Sequence, residues 1–292
     1  MANSIALFKK YTDMLDEVYQ NASKTAILET SSSVVRAGNN ANEIIIPKIS
    51  MSGLGNYSRS SGYVTGDVTL TNETVTFNTD RGRKFQIDAM DNEETAGISF
   101  GMLSAEFIRT KVVPEFDAMR FATYAGISGI STVTGATLAD GAAVLAALQV
   151  AQGTMDDDEV PESDRHLFIT SANLIAVQSV DTTTSREVMA SFASITKVPQ
   201  ARFYTAIDLY DGTTGGEEAG GYVKSAGAAD INFMVIHKPA VIQFTKHLVN
   251  KVFTPEENQS ADAWIFPYRA YALTDVYENK VAGIYLHKKA VE

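Results

Sequence analysis

The hydrophobic positions of this chain fall into segments of different period. Leu7, Tyr11, Leu15 and Val18 lie 4, 4 and 3 residues apart, one narrow stripe along a helix. Ser4 is a residue type that caps such a helix. Residues 30–42 are rich in Ser, Asn, Gly and Ala, so the stripe has no local partner. The segment reads as an arm that must dock on its own chain or on a neighbouring subunit.

The next stretch is extended. Residues 43–46 form a β-branched run closed by Pro47, as suits an edge strand. Residues 50–66 are rich in Gly, Ser and Tyr. Val64, Val68 and Leu70 then share one side, with Thr65, Asp67, Thr69 and Thr71 opposite. The alternation breaks at Asn72–Glu73 and resumes at Val75 and Phe77. Asp80, Arg81 and Gly82 predict a turn before Phe85 and Ile87 alternate again. Together these predict a long hairpin over 44–88 with one half-apolar face and little core of its own.

Helical period returns at 97–125. Ile108, Val112, Phe116 and Met119 form the apolar stripe, and Glu106, Arg109, Asp117 and Arg120 project about 100° away. Glu106/Arg109 and Asp117/Arg120 are i,i+3 pairs of opposite charge. Pro114 must kink this helix or begin a second one, so a bend is expected between Lys111 and Pro114. Beyond it the chain alternates between helix and strand. Residues 139–152 predict an Ala/Leu-rich helix, 156–162 an acidic loop, and 167–170 a buried strand. Ser171 caps a helix to Val180, 212–221 is a glycine-rich loop, and 231–236 is a central strand. Two buried strands flanked by helices predict a small α/β layer. Three strands, at 263–266, 269–271 and 281–286, are separated by Pro267 and by Glu278–Asn279.

Composition narrows the function. The 292 residues carry a net charge of −11, 45% hydrophobic residues and no cysteine. The apolar fraction excludes a disordered chain. Without cysteine there is no disulfide scaffold, Cys-ligated zinc site, iron–sulfur cluster or thiol nucleophile. The acidic balance argues against a broad duplex-binding footprint. No apolar run reaches a membrane span, and the apolar patch at 5–8 is too short for a signal-peptide core. A soluble chain made in the cytoplasm, without a membrane partner, is expected.

Candidate chemistry is sparse. Gly97-Ile98-Ser99-Phe100-Gly101 fits the G-x-S-x-G of serine hydrolases, but that motif needs a buried strand before it. The stretch 88–95 is acidic instead, so the start of a helix is the better reading of Ser99. His166, His237, His247 and His287 show no metal-ligand spacing. The first two abut predicted strands and read as structural, and the last two lie beside lysines and read as solvated. The 156–162 run lacks the glycine of a calcium loop, so a solvated loop is expected, with weak divalent-ion binding between subunits as the alternative. Neither nucleotide fingerprint is present. Arg81, Arg83 and Lys84 form a small basic cluster suited to an acidic patch on another subunit. The chain therefore has no assigned catalytic, metal or cofactor residue, and it has two projections that imply an assembly to support them.

Phe85-Gln86-Ile87-Asp88-Ala89-Met90-Asp91, followed by Glu106-Phe107-Ile108-Arg109-Thr110-Lys111-Val112-Val113-Pro114-Glu115-Phe116-Asp117-Ala118, resembles the hairpin-to-spine junction of tailed-bacteriophage major capsid proteins. Trp264-Ile265-Phe266, Arg269-Ala270-Tyr271 and Asn279-Lys280-Val281-Ala282-Gly283-Ile284-Tyr285-Leu286-His287 resemble the end of the same family. This is the Hong-Kong-97-type fold, shared with encapsulins. The resemblance implies an α+β fold: an N-terminal arm (1–43), an extended β-hairpin or E-loop (44–88), a P-domain with a long spine helix (89–130 and 240–292), and an A-domain (131–239). The 212–221 loop would lie at a symmetry axis.

The function implied is a major capsid protein whose pentamers and hexamers close into an icosahedral shell around phage double-stranded DNA. An encapsulin-like compartment is the alternative and a serine hydrolase using Ser99 a remote one. Partners would be copies of the chain, scaffolding and portal proteins, and decoration proteins, with DNA enclosed rather than bound by sequence. The location would be the virion, after assembly in the host cytoplasm. Expected intersubunit contacts are Tyr57, Arg59, Arg81, Arg83, Glu106, Arg109, Asp117 and Arg120. Residues 49–83 contain no lysine, so the Lys–Asn isopeptide bond of some relatives has no donor at the hairpin tip. The arm is too short for a cleaved scaffolding segment, so a separate scaffolding protein is expected, or else a chain that is already mature. The acidic charge would give a wall that leaves packaged DNA mobile.

Overall fold

A computed structural model describes residues 23–30, 36–37, 43–94, 104–135 and 137–291. The arm helix expected at 4–18 and the Ser99 motif lie outside the described residues.

The hairpin is real but shorter than its pattern predicts. β2 (Glu43–Met51) and β3 (Val68–Thr76) pair antiparallel without a register break, from Glu43↔Thr76 to Met51↔Val68. The two-residue strand β1 (Arg36–Ala37) flanks β2 only at Ile44 and Ile45. Pro47 therefore does not close β2, because it falls where that strand is already an edge among the described residues.

β4 (Thr79–Asp88) leaves the hairpin and pairs with β12 (Ala263–Val276), which β11 (Val241–Asn250) flanks on the other side. Asp80–Arg81–Gly82 is thus strand, not turn. Gly82 permits the close approach: a Cβ there would lie 2.9 Å from the Tyr268 carbonyl oxygen. Pro267 does not divide β12, because the β11 ladder begins at Tyr268 and the proline lies beyond it.

A five-stranded sheet forms the second layer, in the order β5 (Ser131–Thr134), β13 (Ile284–Lys288), β10 (Ile231–His237), β6 (Arg165–Thr170), β7 (Ser194–Val198). The two apolar runs of the sequence are β6 and β10, antiparallel neighbours buried along their whole length. The last strand, β13, joins this sheet. One face packs Leu148, Leu167, Phe233 and Tyr285 under helices Gly141–Asp157, Ser171–Val180 and Thr183–Ala190. Asp140 caps the first of these, accepting from Ala143 N–H at 2.8 Å. Thr170, not Ser171, takes the N-cap position of the second.

The other face packs Phe168, Met234 and Leu286 against Phe121 and Tyr124 of the spine helix. The spine runs as α-helix over 104–107, as a π-turn over Ile108–Val112, and as α-helix over Val113–Gly126. The bend expected near Pro114 takes the form of this π-turn, in which Val113 N–H donates to the Ile108 carbonyl. Proline has no N–H to continue the α-ladder, and one wide turn accommodates it. Ile108, Val112 and Phe116 face Phe266 and Tyr268 of β12, as the stripe predicts.

Candidate assembly interface

The hairpin presents apolar side chains to solvent. Ile49 opposes Leu70 and Met51 opposes Val68 across the ladder, and all four are exposed. The tip adds Leu54 at 107% exposure, Val64, and the edge-to-face pair Tyr57–Tyr63 with ring centroids 4.9 Å apart. Arg59 is exposed beside them. Among the described residues the root is anchored by Val75 against Ile242 and Leu273. An apolar surface of this kind marks an interaction site.

Arg81 and Arg83 are committed within the chain. Arg81 Nε donates to Glu115 Oε1 at 2.6 Å and its Nη1 to the Tyr210 carbonyl at 2.9 Å. Arg83 Nη2 donates to the Glu218 carbonyl at 3.0 Å. The glycine-rich loop between β8 (Ile207–Leu209) and β9 (Tyr222–Lys224) is therefore fastened to β4. Gly212 has φ +77° and Gly220 +65°, and a Cβ at Gly212 would lie 2.9 Å from Arg83 Nη1. Here glycine serves both the left-handed backbone and the approach of a guanidinium.

Asp117 and Arg120 are likewise internal, at 0% and 1% exposure. Asp117 accepts from Ser23 Oγ at 2.9 Å, Lys24 N–H at 3.0 Å and Thr25 Oγ1 at 2.9 Å, and pairs with Arg202 Nη1 at 3.2 Å. Arg120 Nη1 donates to Thr25 Oγ1 at 2.8 Å, and its guanidinium lies over the Phe116 ring. The expected surface pair is thus a buried clasp that holds residues 23–30 of the arm on the spine. Gln243 closes the clasp: its Nε2 donates to the Thr25 carbonyl at 3.0 Å, and its Oε1 accepts from Tyr124 Oη at 3.2 Å. Burial pushes the Tyr124 pKa well above its ordinary value, so the hydroxyl stays a donor. No sequence signal points to Thr25 or Gln243, because neither lies in a periodic run with its partners. Glu106 and Arg109 do form an exposed i,i+3 ion pair, at 2.7 Å.

Between β4, the first turns of the spine and the glycine-rich loop lies an open groove of about 1360 Å³. Its walls carry Phe85, Phe107, Tyr210, Tyr222 and Tyr268, with Glu106 and Arg83 among its polar residues. Burial pushes the Tyr222 phenol up to about 12.

His166, His287 and the acidic loop have structural roles. His166 Nδ1 meets Ser194 Oγ at 2.7 Å. His287 is buried in β13 rather than solvated, stacked on Phe233 with Nδ1 3.1 Å from Asn232 Nδ2. The first helix of the layer runs on into the acidic loop, which Arg165 draws together by pairing with Asp156 at 2.7 Å and donating to the carbonyls of Val160 and Pro161. Among the described residues no group of acids and histidines is arranged to hold a metal, and no helix is long and apolar enough to cross a membrane.

This arrangement of hairpin, spine and mixed sheet recurs in solved structures. A Gordonia phage Cozz structure superposes with a TM-score of 0.61 at 11% identity, over 92% of this chain and 87% of that one. The virus-like particle from Pyrococcus furiosus gives 0.59 at 10% identity, over 96% and 99%. The capsid of the cyanophage P-SCSP1u gives 0.56 at 14% identity, over 91% and 87%. The chain has the Hong-Kong-97-type capsid fold. No family model and no curated protein sequence matches it.

Proposed function

We propose that this protein is the major capsid protein of a tailed bacteriophage, a non-catalytic subunit whose pentamers and hexamers close into an icosahedral shell. One observation carries the reading: a paired hairpin on the capsid fold exposes Ile49, Met51, Leu54, Val68 and Leu70, which no part of the described chain covers. A neighbouring subunit supplies that cover. The shell encloses double-stranded DNA without reading its sequence, in keeping with a net charge of −11. Scaffolding and portal proteins, and decoration proteins where the shell carries them, complete a virion built in the host cytoplasm.

A second reading is an encapsulin-like compartment, a shell of the same fold that encloses protein cargo in place of DNA. DNA content of purified particles separates the two.

Electron microscopy of the purified protein, alone and with phage lysate, tests the shell itself. Closed particles are expected from the intact chain, and folded subunits without shells from a chain lacking residues 52–62. Monomers under every condition, or normal shells from the deletion, would overturn the reading.

A further inference from the structure

β8, the glycine-rich loop and β9 form a tongue whose short ladder joins no other sheet among the described residues. Inside, the tongue is tied to itself. Tyr210 N–H donates to the Gly221 carbonyl at 2.9 Å across the neck, and Glu217 N–H and Gly220 N–H donate to the Thr214 and Glu217 carbonyls at 2.8 Å each. The Asp211 carboxylate accepts from Thr213 N–H at 2.7 Å and from Thr214 Oγ1 at 2.6 Å. The foot is held where Tyr222 Oη donates to the Ala201 carbonyl at 2.8 Å and Lys224 Nζ to Asp230 Oδ1 at 2.8 Å. These bonds fix the shape of the tongue and its attachment, and leave its direction to other contacts.

Direction comes from β4. Arg81 and Arg83 lie two residues apart and so leave the same side of the strand. β12 holds that strand at both positions, through Ala270 and Tyr268. Arg81 grips the neck: Nε is held by Glu115 of the spine, and Nη1 reaches the Tyr210 carbonyl at 2.9 Å. Arg83 grips farther out, on the Glu218 carbonyl at 3.0 Å, and Gly212 and Gly220 leave room for its guanidinium. One grip would leave a pivot, and two grips at separate points remove it. The tongue exposes apolar Leu209 and Val223. A surface already held in one direction needs less ordering when a partner meets it.

We propose that Arg81 and Arg83 are positioning residues for assembly, which aim the tongue from β4 toward the next copy of the chain. They act through the tongue rather than by touching the neighbour. The inference rests on the shell reading.

The chain has no cysteine, so introduced thiols are the only sites for spin labels. Gly215→Cys, where nothing lies within 4 Å of a Cβ, marks the tongue, and Val150→Cys, exposed on the Gly141–Asp157 helix, marks the body. Double electron–electron resonance on dissociated subunits should give one narrow distance distribution. Arg81→Lys keeps a charge for Glu115 and loses the fork that reaches the neck, and Arg83→Ala removes the outer grip. Together they should broaden or shift that distribution with the far-ultraviolet spectrum unchanged. Without the labels, the same pair should abolish closed particles in light scattering. Arg186→Ala, which removes the exposed pair with Asp181, should change none of these.

An unaltered distribution in the arginine variant overturns the aiming. A broadened distribution with particles at normal yield overturns its part in assembly. Where the double variant does not fold, Arg83→Ala alone, whose bond is exposed, is judged by the same two outcomes. Absence of particles from the unmodified protein overturns the shell reading and the assembly role with it, while the distance distribution still decides whether the arginines aim the tongue.

Discussion

Thr25 and Asp117, 92 positions apart, meet in a buried hydrogen bond of 2.9 Å. The same hydroxyl accepts from Arg120, so one threonine joins a carboxylate to a guanidinium while its own segment is fixed between them. Leu28, three residues on, is fully buried beside Phe121 and Tyr124. The base of the arm is therefore part of the subunit core, not a free strap.

Asp117→Ala should destabilise the subunit by about 3–5 kcal/mol, because it leaves Arg202 and four donors of residues 23–25 without their acceptor. Thr25→Val, which keeps the shape and removes the bridge, should cost about 1–3 kcal/mol. Urea denaturation of dissociated subunits measures both. A loss below ~0.5 kcal/mol for Asp117→Ala would show that the clasp contributes nothing to stability.

Two glycines of one helix should respond with opposite sign. At Gly141 a Cβ would lie 2.0 Å from the Ala176 carbonyl oxygen and 2.6 Å from Val180 Cγ2. Gly141→Ala must push two helices apart and is expected to cost about 1–3 kcal/mol. Nothing lies within 4 Å of a Cβ at Gly153. Gly153→Ala should stabilise by about 0.5–1 kcal/mol through helix propensity alone. Equal shifts of the thermal midpoint in the two variants would contradict this packing.

What the sequence made legible was periodic and local. The spine stripe, the two central strands and the hairpin ladder each repeat within a few residues, and each stands in the structure. Partners distant in sequence left no mark. β4 alternates like a hairpin strand, yet Phe85 pairs with Phe266, and alternation cannot name a partner. Asp117/Arg120 and Glu106/Arg109 have the same spacing, and only the packing of 23–30 buries one pair and leaves the other in water. His287 read as solvated because lysines follow it, whereas β13 lies between β5 and β10 and is buried on both faces up to that residue. The candidate interface was legible as an absence, a hairpin without a core, and the groove was not legible at all.

The hairpin face separates assembly from folding. Met51 and Leu70 are exposed in the subunit, so Met51→Asp or Leu70→Asp should change its unfolding free energy by no more than about 0.5 kcal/mol. The same substitutions place a charge in the contact that covers the hairpin, and should abolish closed particles as scored by light scattering. Shells of normal yield from both variants would mean that this face stays solvent-exposed in the assembly.

Acid should loosen the five-stranded sheet. His166, His237 and His287 are all buried in it, and desolvation lowers each pKa below the ordinary 6.5. Asp164 works against that lowering at His166 and His237, and Lys238, Lys280 and Arg165 add to it. A histidine whose folded pKa is depressed binds protons more readily in the unfolded chain. The folded state then loses stability as pH falls below about 6.5, down to the folded pKa, and suffers no such loss above it. The urea midpoint of dissociated subunits should be flat between pH 7 and 8 and decline from pH 6.5 to 5. Imidazole resonances of the three histidines should titrate below 6.5 in the folded subunit, and midpoints above that value would contradict their burial as neutral rings.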